Sequence, residues 1–87
     1  MAIIVAGNLT IKSGSRDEFI AKSREATLQA RENEACDDFS VSPDPIDLNR
    51  VNIYEKWDSR SALDAFRSSG SKSDIFSLVL RFDVNEY

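Results

Sequence analysis

Histidine is absent from this sequence of 87 residues, and Cys36 is its single cysteine. Without histidine the chain has neither a Ser-His nor a Cys-His nucleophilic pair, and a metal site would have to be built from carboxylates and one thiol. No spacing of those residues suggests such a site, and a lone cysteine excludes an internal disulfide. These absences argue against hydrolase and zinc-enzyme functions, and we expect no metal.

Basic side chains are also too few and too scattered for a nucleic-acid-binding surface. Eleven Lys and Arg against fifteen Asp and Glu give a formal net charge of −4, whereas nucleic acid requires a basic patch. The first residues, MAIIVAGNL, contain neither a basic leader nor the long apolar run of a membrane span. We therefore expect a cytoplasmic protein that binds neither nucleic acid nor membranes.

The apolar pattern predicts one domain, 1–87, with the order strand, helix, strand, strand, helix, helical fragment, strand. The predicted strands are 3–11, 38–42, 50–57 and 81–87. A Ser15–Glu18 capping box opens a first helix that ends near Asn33, Ser59 caps a second helix that Gly70 closes, and the helical fragment lies within 71–80. This order is typical of an α+β, ferredoxin-like fold, an antiparallel sheet with helices on one face.

The first strand is apolar on both faces, which predicts that both faces of the sheet are covered. Helices cover one face, whereas Ile4, Ala6 and Tyr54 point to the other. We infer a homodimer in which two sheets pack face to face. Such a dimer can also supply the pocket volume that a chain of this length lacks.

The predicted inner stripe of the first helix carries mostly small side chains after its first turn. Its members are Phe19, Ile20, Ser23, Ala26, Thr27 and Ala30, while Arg16 is predicted to face water. Small residues allow the helix to lie close against the sheet, or they leave a hollow between helix and sheet. Close packing is the default because protein interiors are normally filled.

The third strand carries the residues that best fit a site, because its alternation puts Ile53, Glu55 and Trp57 on the helix-side face. A carboxylate among apolar neighbours has its pKa raised by desolvation and can exchange protons near neutral pH. The alternative for Glu55 is a salt bridge to Arg60 or Arg81. Trp57 is either a core aromatic or a surface on which a flat ligand stacks.

Three other polar residues have weaker claims to a function. Asn8 lies in the middle of the first strand, where it would orient a ligand or satisfy a neighbouring polar group. Cys36 lies in a polar loop without a basic partner, which argues against a reactive thiolate. The acidic run around Asp44 lacks the glycine and the glutamate of a calcium loop and is interpreted as a solvated turn.

The stretch that follows the first helix resembles the antibiotic biosynthesis monooxygenase family, which includes quinol monooxygenases and haem-degrading relatives. The matching residues are Cys36-x-x-Phe39-x-Val41, then Asp44-Pro45, then Asn52-x-Tyr54-Glu55-x-Trp57-x-Ser59-x-x-Ala62-Leu63. The resemblance implies a dimeric α/β barrel of ferredoxin-like chains with one pocket per chain. It also implies oxygenation of flat phenolic or anthrone-like substrates by molecular oxygen, with no flavin, metal or other cofactor.

Two departures from the family pattern bear on function. Many relatives have a histidine in the second helix where this chain has Phe66, which argues against haem degradation because that reaction needs an iron ligand. Glu34-Ala35 stands where relatives often have Pro-Gly. The leading hypothesis is a cofactor-independent monooxygenase of a small aromatic quinol or polyphenol. Glu55 is its candidate proton acceptor, and its substrate-binding residues are Trp57, Phe66, Ile53, Phe19 and Asn8.

Two other hypotheses remain open. One is a dimeric binding or accessory module that has the same pocket and a small aromatic ligand without turnover. The other is a structural dimer whose core is filled.

Overall fold

The computed structural model describes residues 1–69 and 74–87. Its helices and strands follow one another as β1 (Ile3–Ile11), α1 (Arg16–Glu32), β2 (Cys36–Pro43), β3 (Arg50–Trp57), α2 (Arg60–Ser69), a short 3₁₀ helix (Asp74–Leu78) and β4 (Val79–Glu86). All strand pairs are antiparallel and the strand order is β2-β3-β1-β4. The predicted ferredoxin-like fold is confirmed, with the two most apolar strands, β1 and β3, in the centre.

The core lies between the sheet and the helices, on the face that β1 and β3 share through their odd-numbered residues. Pairing sets Val5 opposite Glu55, and Leu9 opposite Val51. The buried apolar side chains form two clusters. The first contains Val5, Ala30, Phe39, Trp57 and Leu63, and the second contains Leu9, Ile11, Phe19 and Val51. Helix α1 contributes to both clusters, and α2 contributes Leu63 to the first.

Several predicted boundaries need correction. Strand β2 begins at Cys36, so this residue is not in a loop, and β4 begins at Val79, so Val79 and Leu80 extend the last strand instead of a helix. A short apolar run such as Ser77-Leu-Val-Leu fits both the helical period of 3.6 and the strand period of two. Pairing with β1 shows that Val79 and Leu80 belong to a strand. The predicted stop at Gly70 lies outside the described residues.

Helix α1 begins at the predicted place but without the predicted capping box. Ser15 is the N-cap with φ −109° and ψ 3°, and its hydroxyl makes no capping hydrogen bond within the described part of the chain. Its backbone N–H instead donates to Lys12 O (2.9 Å), which closes the preceding turn. The predicted cap of α2 is present, because Ala62 N donates to Ser59 Oγ (3.2 Å).

The inner stripe of α1 is narrower than predicted. Phe19, Ser23 and Ala30 are buried, whereas Ala26 is exposed. Arg16 does not face water as predicted: its Nη1 donates to the carbonyl oxygens of Asp44 (3.0 Å) and Asp47 (2.9 Å). The first turn of α1 is thereby tied to the loop between β2 and β3.

Gly7 lets β4 approach the middle of β1 more closely than any side chain would allow. It pairs with Val84, and a Cβ atom added to Gly7 would lie 2.7 Å from Val84 Cα and closer still to the carbonyl oxygen of Asp83. These are backbone atoms and cannot turn aside as a side chain would. The joining of β4 to the sheet therefore depends on this glycine.

We expect Gly7→Ala to lower the free energy of unfolding by about 3 kcal/mol, because β1 and β4 must separate to admit the methyl group. Gly14→Ala is the matched control, because both glycines have a positive φ (151° at Gly7 and 77° at Gly14). Among the described residues, apart from the two chain neighbours of Gly14, no atom lies within 4 Å of the carbon added there. Only backbone strain of about 1 kcal/mol is expected there. Urea unfolding of both variants measures the difference, and equal losses would contradict the close-approach argument.

Candidate functional site

Glu55 and Trp57 form a hydrogen-bonded pair at the carboxyl end of β3. They are two residues apart and therefore share the helix-side face, as predicted. The indole Nε1–H of Trp57 donates to Glu55 Oε1 at 2.9 Å. The predicted salt-bridge alternatives are not formed: Arg60 pairs with Glu86 and Asp64, and Arg81 pairs in the sheet with Thr10, on the opposite face. Glu55 is thus a half-buried carboxylate held by a neutral donor.

The surroundings of Glu55 raise its pKa. Its neighbours across the sheet are Val5 on β1 and Phe39 on β2, and both are buried. Desolvation of the carboxylate raises the pKa of Glu55, and the hydrogen bond from Trp57 opposes this only in part. Glu55 therefore has the character of a proton acceptor whose pKa lies closer to neutrality than that of a surface glutamate.

The indole of Trp57 is fully buried and packs against an aromatic ring from α2. The ring centroids of Trp57 and Phe66 are 4.9 Å apart with an interplanar angle of 40°. Phe39 meets the same phenylalanine edge-on at 5.9 Å. Phe66 thus lies directly on the candidate site, and a ligand that reaches the face of the indole has to displace this ring.

The other predicted pocket residues fall into two places. Ile53 is half-buried and packs against the second core cluster, to which Phe19 of α1 belongs. On β3, Glu55 lies between Ile53 and Trp57. Asn8 pairs with Asn52 on the opposite face of the sheet. The structure therefore brings together Glu55, Trp57 and Phe66, with Ile53 and Phe19 beyond, but not Asn8, because the alternation of β1 turns it away.

On that opposite face, Asp44 organises the loop that precedes β3. Its carboxylate accepts hydrogen bonds from the backbone N–H groups of Asp47 (2.8 Å) and Ile46 (3.0 Å) and from Asn52 Nδ2 (3.0 Å). These donors, that of Asp47 foremost, lower the pKa of Asp44 to about 2. The acidic run is a turn, as predicted, but a hydrogen-bonded one.

Cys36 lies opposite Trp57 in the sheet, and its thiol donates to the carbonyl oxygen of Asp38 (3.2 Å). Burial raises the pKa of the Cys36 thiol, which disfavours the reactive thiolate. Residues 1–69 and 74–87 contain no group of three His, Cys, Asp or Glu side chains that could hold a metal ion. None of the helices described is long and apolar enough to cross a membrane.

A surface cavity of about 260 Å³ opens at the other end of the sheet, where β1 ends and β3 begins. It is lined by Ser13, Gly14, Arg16, Asp17, Leu48 and Asn49. Because Trp57 pairs with Ile3 at the start of β1, this cavity is separate from the Glu55 site.

Residues 2–76 match the family model of the antibiotic biosynthesis monooxygenases. The chain belongs to this family. Solved structures agree with the fold: protein Rv0793 from Mycobacterium tuberculosis superposes with a TM-score of 0.85 at 18% identity, covering 100% of this chain and 93% of that one. A proposed antibiotic biosynthesis monooxygenase from Nitrosomonas europaea gives 0.85 at 13% identity, covering 99% and 88%.

A curated relative of this family member is the uncharacterized protein sll1783 of Synechocystis sp. strain PCC 6803. The two sequences are 36% identical over 62 residues, which is 71% of this chain and 42% of the relative. The chain thus matches less than half of the length of that relative.

We expect Glu55→Gln to be more stable than the wild type, and we expect this difference to grow as the pH rises from 4.5, the ordinary pKa of a glutamate, towards neutrality. The folded-state pKa of Glu55 is raised above its ordinary value of 4.5, so the folded protein binds more protons than the unfolded chain between the two values. Stability is therefore lost as the pH rises through the folded pKa. Glutamine keeps an oxygen for the Trp57 N–H and carries no charge to desolvate.

Urea unfolding of the wild type and of Glu55→Gln between about pH 4 and 8 tests this sign. The matched control is Glu32→Gln, because Glu32 is exposed at the end of α1. The assignment is supported if the difference in free energy of unfolding from the wild type grows with pH for Glu55→Gln but not for Glu32→Gln. Parallel pH profiles for all three proteins would contradict it.

Proposed function

We propose that this chain is a cofactor-independent monooxygenase that oxidises a small aromatic quinol or polyphenol with molecular oxygen. The observation that carries the proposal is the half-buried Glu55 carboxylate, which has a raised pKa and is bonded to an indole N–H instead of a cation. Membership of the family supports the reaction class. The substrate class is the one that the family resemblance implies, and a proton acceptor between aromatic and apolar walls is compatible with it.

In the proposed reaction Glu55 accepts the proton of a phenolic hydroxyl. The phenolate formed is electron-rich enough to transfer one electron to O₂, and the resulting radical pair recombines by forming a C–O bond. The hydroperoxide then loses its outer oxygen as water, with one proton from the same carbon and one returned by Glu55, and a carbonyl remains. The substrate gains one oxygen and loses two hydrogens, and O₂ takes up the four electrons.

The protein has to supply a proton acceptor and an apolar slot that holds the phenol against it. Trp57 and Phe66 are the proposed aromatic wall on one side of Glu55, and Ile53 with Phe19 form the apolar wall on the other. A raised pKa suits the acceptor because general bases work best with a pKa near the operating pH. Asn8 has no part in this pocket.

The second candidate is a binding or accessory module that holds a small aromatic ligand without turnover. One observation favours it: Phe66 packs on the fully buried indole, so the resting site is narrow. A ligand that displaces Phe66 would be held by aromatic contacts, and its binding would require no proton transfer to Glu55.

We expect oxygen uptake with one or more compounds in a panel of hydroquinones and anthrones, and Glu55→Gln is expected to lower kcat by about 10²- to 10⁴-fold through loss of the base. Glu32→Gln is the surface control and keeps the wild-type rate. Because Glu55 acts in its ionised form, the wild-type rate falls as the pH falls through the raised pKa of Glu55. Uptake that is equal in Glu55→Gln contradicts the role, and tight binding without uptake supports the module.

We also propose that the chain works as a homodimer joined through the open sheet face. Tyr54 on that face is 37% exposed, and Ile4 and Ala6 lie beside it half-buried. A second sheet would cover these apolar groups, which the helices of the same chain cannot reach.

Light scattering after size exclusion is expected to give a dimer at micromolar concentration, and Tyr54→Glu is expected to give a monomer because it buries a charge in the interface. Ala65→Glu adds the same charge on the exposed side of α2 and should leave the dimer intact. A monomeric wild type, or a dimeric Tyr54→Glu, would contradict this interface.

A further inference from the structure

Glu86, at the end of β4, shares the helix-side face and the cross-sheet row of Glu55. It pairs with Val5, which pairs in turn with Glu55. Two arginines of α2 contact its carboxylate: Arg60 bonds to Oε2, and Arg67 Nη1 lies 3.1 Å from Oε1. One carboxylate at the rim of the candidate site thus holds two cations.

The two arginines are not equivalent. Arg60 also lies 3.8 Å from Asp64 and is shared between two carboxylates. Arg67 makes one hydrogen bond, to Glu86, and its remaining N–H groups have no partner in the described part of the chain. Its side chain is 48% exposed, so an incoming molecule can reach it.

Arg67 is also the arginine whose charge acts on Glu55. It follows Phe66, whose ring lies on Trp57, and the indole N–H of Trp57 is bonded to Glu55. The positive charge of Arg67 lowers the pKa of Glu55, whereas Glu86 raises it to a lesser extent, and Arg60 has no such effect.

Among residues 1–69 and 74–87, the other elements around Glu55 supply no further cation that shifts its pKa. Strand β2 brings the Cys36 thiol, which has its pKa raised in part by Glu55, and β1 brings the apolar Val5. The arginine of α1 that reaches β2, Arg31, donates to the carbonyl oxygen of Phe39 (3.0 Å). Of the cations in the described part of the chain, Arg67 is therefore the one that an anion beside Glu55 would meet.

We propose that Arg67 binds the oxyanion of the substrate and that Glu86 is the positioning residue that holds Arg67 at the rim. The proposal rests on the proposed function and deepens it by naming the group that receives the negative charge. When a phenolic proton passes to Glu55, the charge moves from the carboxylate to the substrate oxygen. A guanidinium beside that oxygen, with N–H groups that no described residue engages, stabilises the phenolate and favours substrates with an anionic oxygen.

The first test uses 4-nitrophenol as the probe, because its anion absorbs visible light and its titration needs no turnover. In the Glu55→Gln background, where the base cannot interfere, we expect the bound probe to ionise at a lower pH than the free one. Adding Arg67→Met is expected to weaken binding of the anion about tenfold, the order for one charge-assisted hydrogen bond at a half-exposed site. Arg67→Lys should restore part of the affinity.

Arg60→Met is the matched control, because it removes the other partner of Glu86 without removing the cation near Glu55. Its titration curve should coincide with that of the background protein. Equal effects of Arg60→Met and Arg67→Met, or no effect of either, would overturn the proposal. Since binding of the probe requires no oxygen chemistry, failure of the monooxygenase reaction would not produce either of those results.

A second test uses the pH profile of oxygen uptake by the 87-residue chain with Glu55 intact. Loss of the Arg67 charge raises the pKa of Glu55, so Arg67→Met should move the acid limb of kcat/KM to higher pH, whereas Arg60→Met should not. Glu86→Gln should raise KM, because it releases Arg67, and the expected rise is about tenfold or less at low salt. An acid limb that does not move in Arg67→Met would overturn the electrostatic link to Glu55.

Discussion

The hydrogen bond from the Trp57 indole to the Glu55 carboxylate is the interaction on which the candidate site depends. A fully buried indole needs an acceptor for its N–H, and a carboxylate among apolar neighbours needs a donor. The hydrogen bond of 2.9 Å between them satisfies both the donor and the acceptor. The indole thereby closes the end of the core between β3 and α2, while the acid is fixed in one orientation. The pair that closes the core is thus also the pair proposed to carry the chemistry.

This arrangement has an energetic cost that a purely structural pair would not carry. A neutral residue at position 55 would accept the same hydrogen bond without a charge to desolvate. Functional sites commonly retain such unfavourable groups because the chemistry requires them. Burial of the apolar side chains of Val5, Phe39 and Leu63 offsets the cost of desolvating the Glu55 carboxylate.

The small residues of α1 show how polar side chains can face the sheet without opening a polar hollow. Ser23 Oγ–H donates to Ile20 O (2.9 Å), and Thr27 Oγ1–H donates to Ser23 O (3.0 Å). Each hydroxyl is satisfied within its own helix. The helix therefore needs no partner from the sheet at these positions, which is consistent with the close-packing interpretation of the sequence.

Strand β3, which carries the candidate site, was predictable from sequence because its residues alternate with a period of two, which leaves only two possible assignments of side chains to faces. The bounds 50–57 and the shared face of Glu55 and Trp57 follow from alternation alone. The same alternation excludes Asn8 from the pocket, because an even-numbered residue of β1 lies on the opposite face of the sheet. The start of β4 was missed because Val79 and Leu80 fit either period, and only their pairing decides.

The pairing of Arg67 with Glu86 could not have been predicted from sequence, because it depends on the register of β4. An irregularity between Thr10 and Ile11 shifts that register, and Gly7 sets how closely the two strands approach. Only this register puts Glu86 in the row of Glu55. The register of a strand such as β4, which has no buried residue, is only weakly specified by its own sequence.

The carboxylates of Glu55 and Glu86, which lie in the same row across the sheet, have opposite electrostatic environments. Hydrogen bonds from Arg60 and Arg67 lower the pKa of Glu86, whereas desolvation raises the pKa of Glu55. Glu86 therefore stays ionised and can hold its arginines at any physiological pH, while Glu55 is free to exchange a proton. Two identical side chains, separated by Val5, thus differ in pKa because one meets cations and the other meets apolar groups, as the proposed roles of Glu86 in holding charge and of Glu55 in moving protons require.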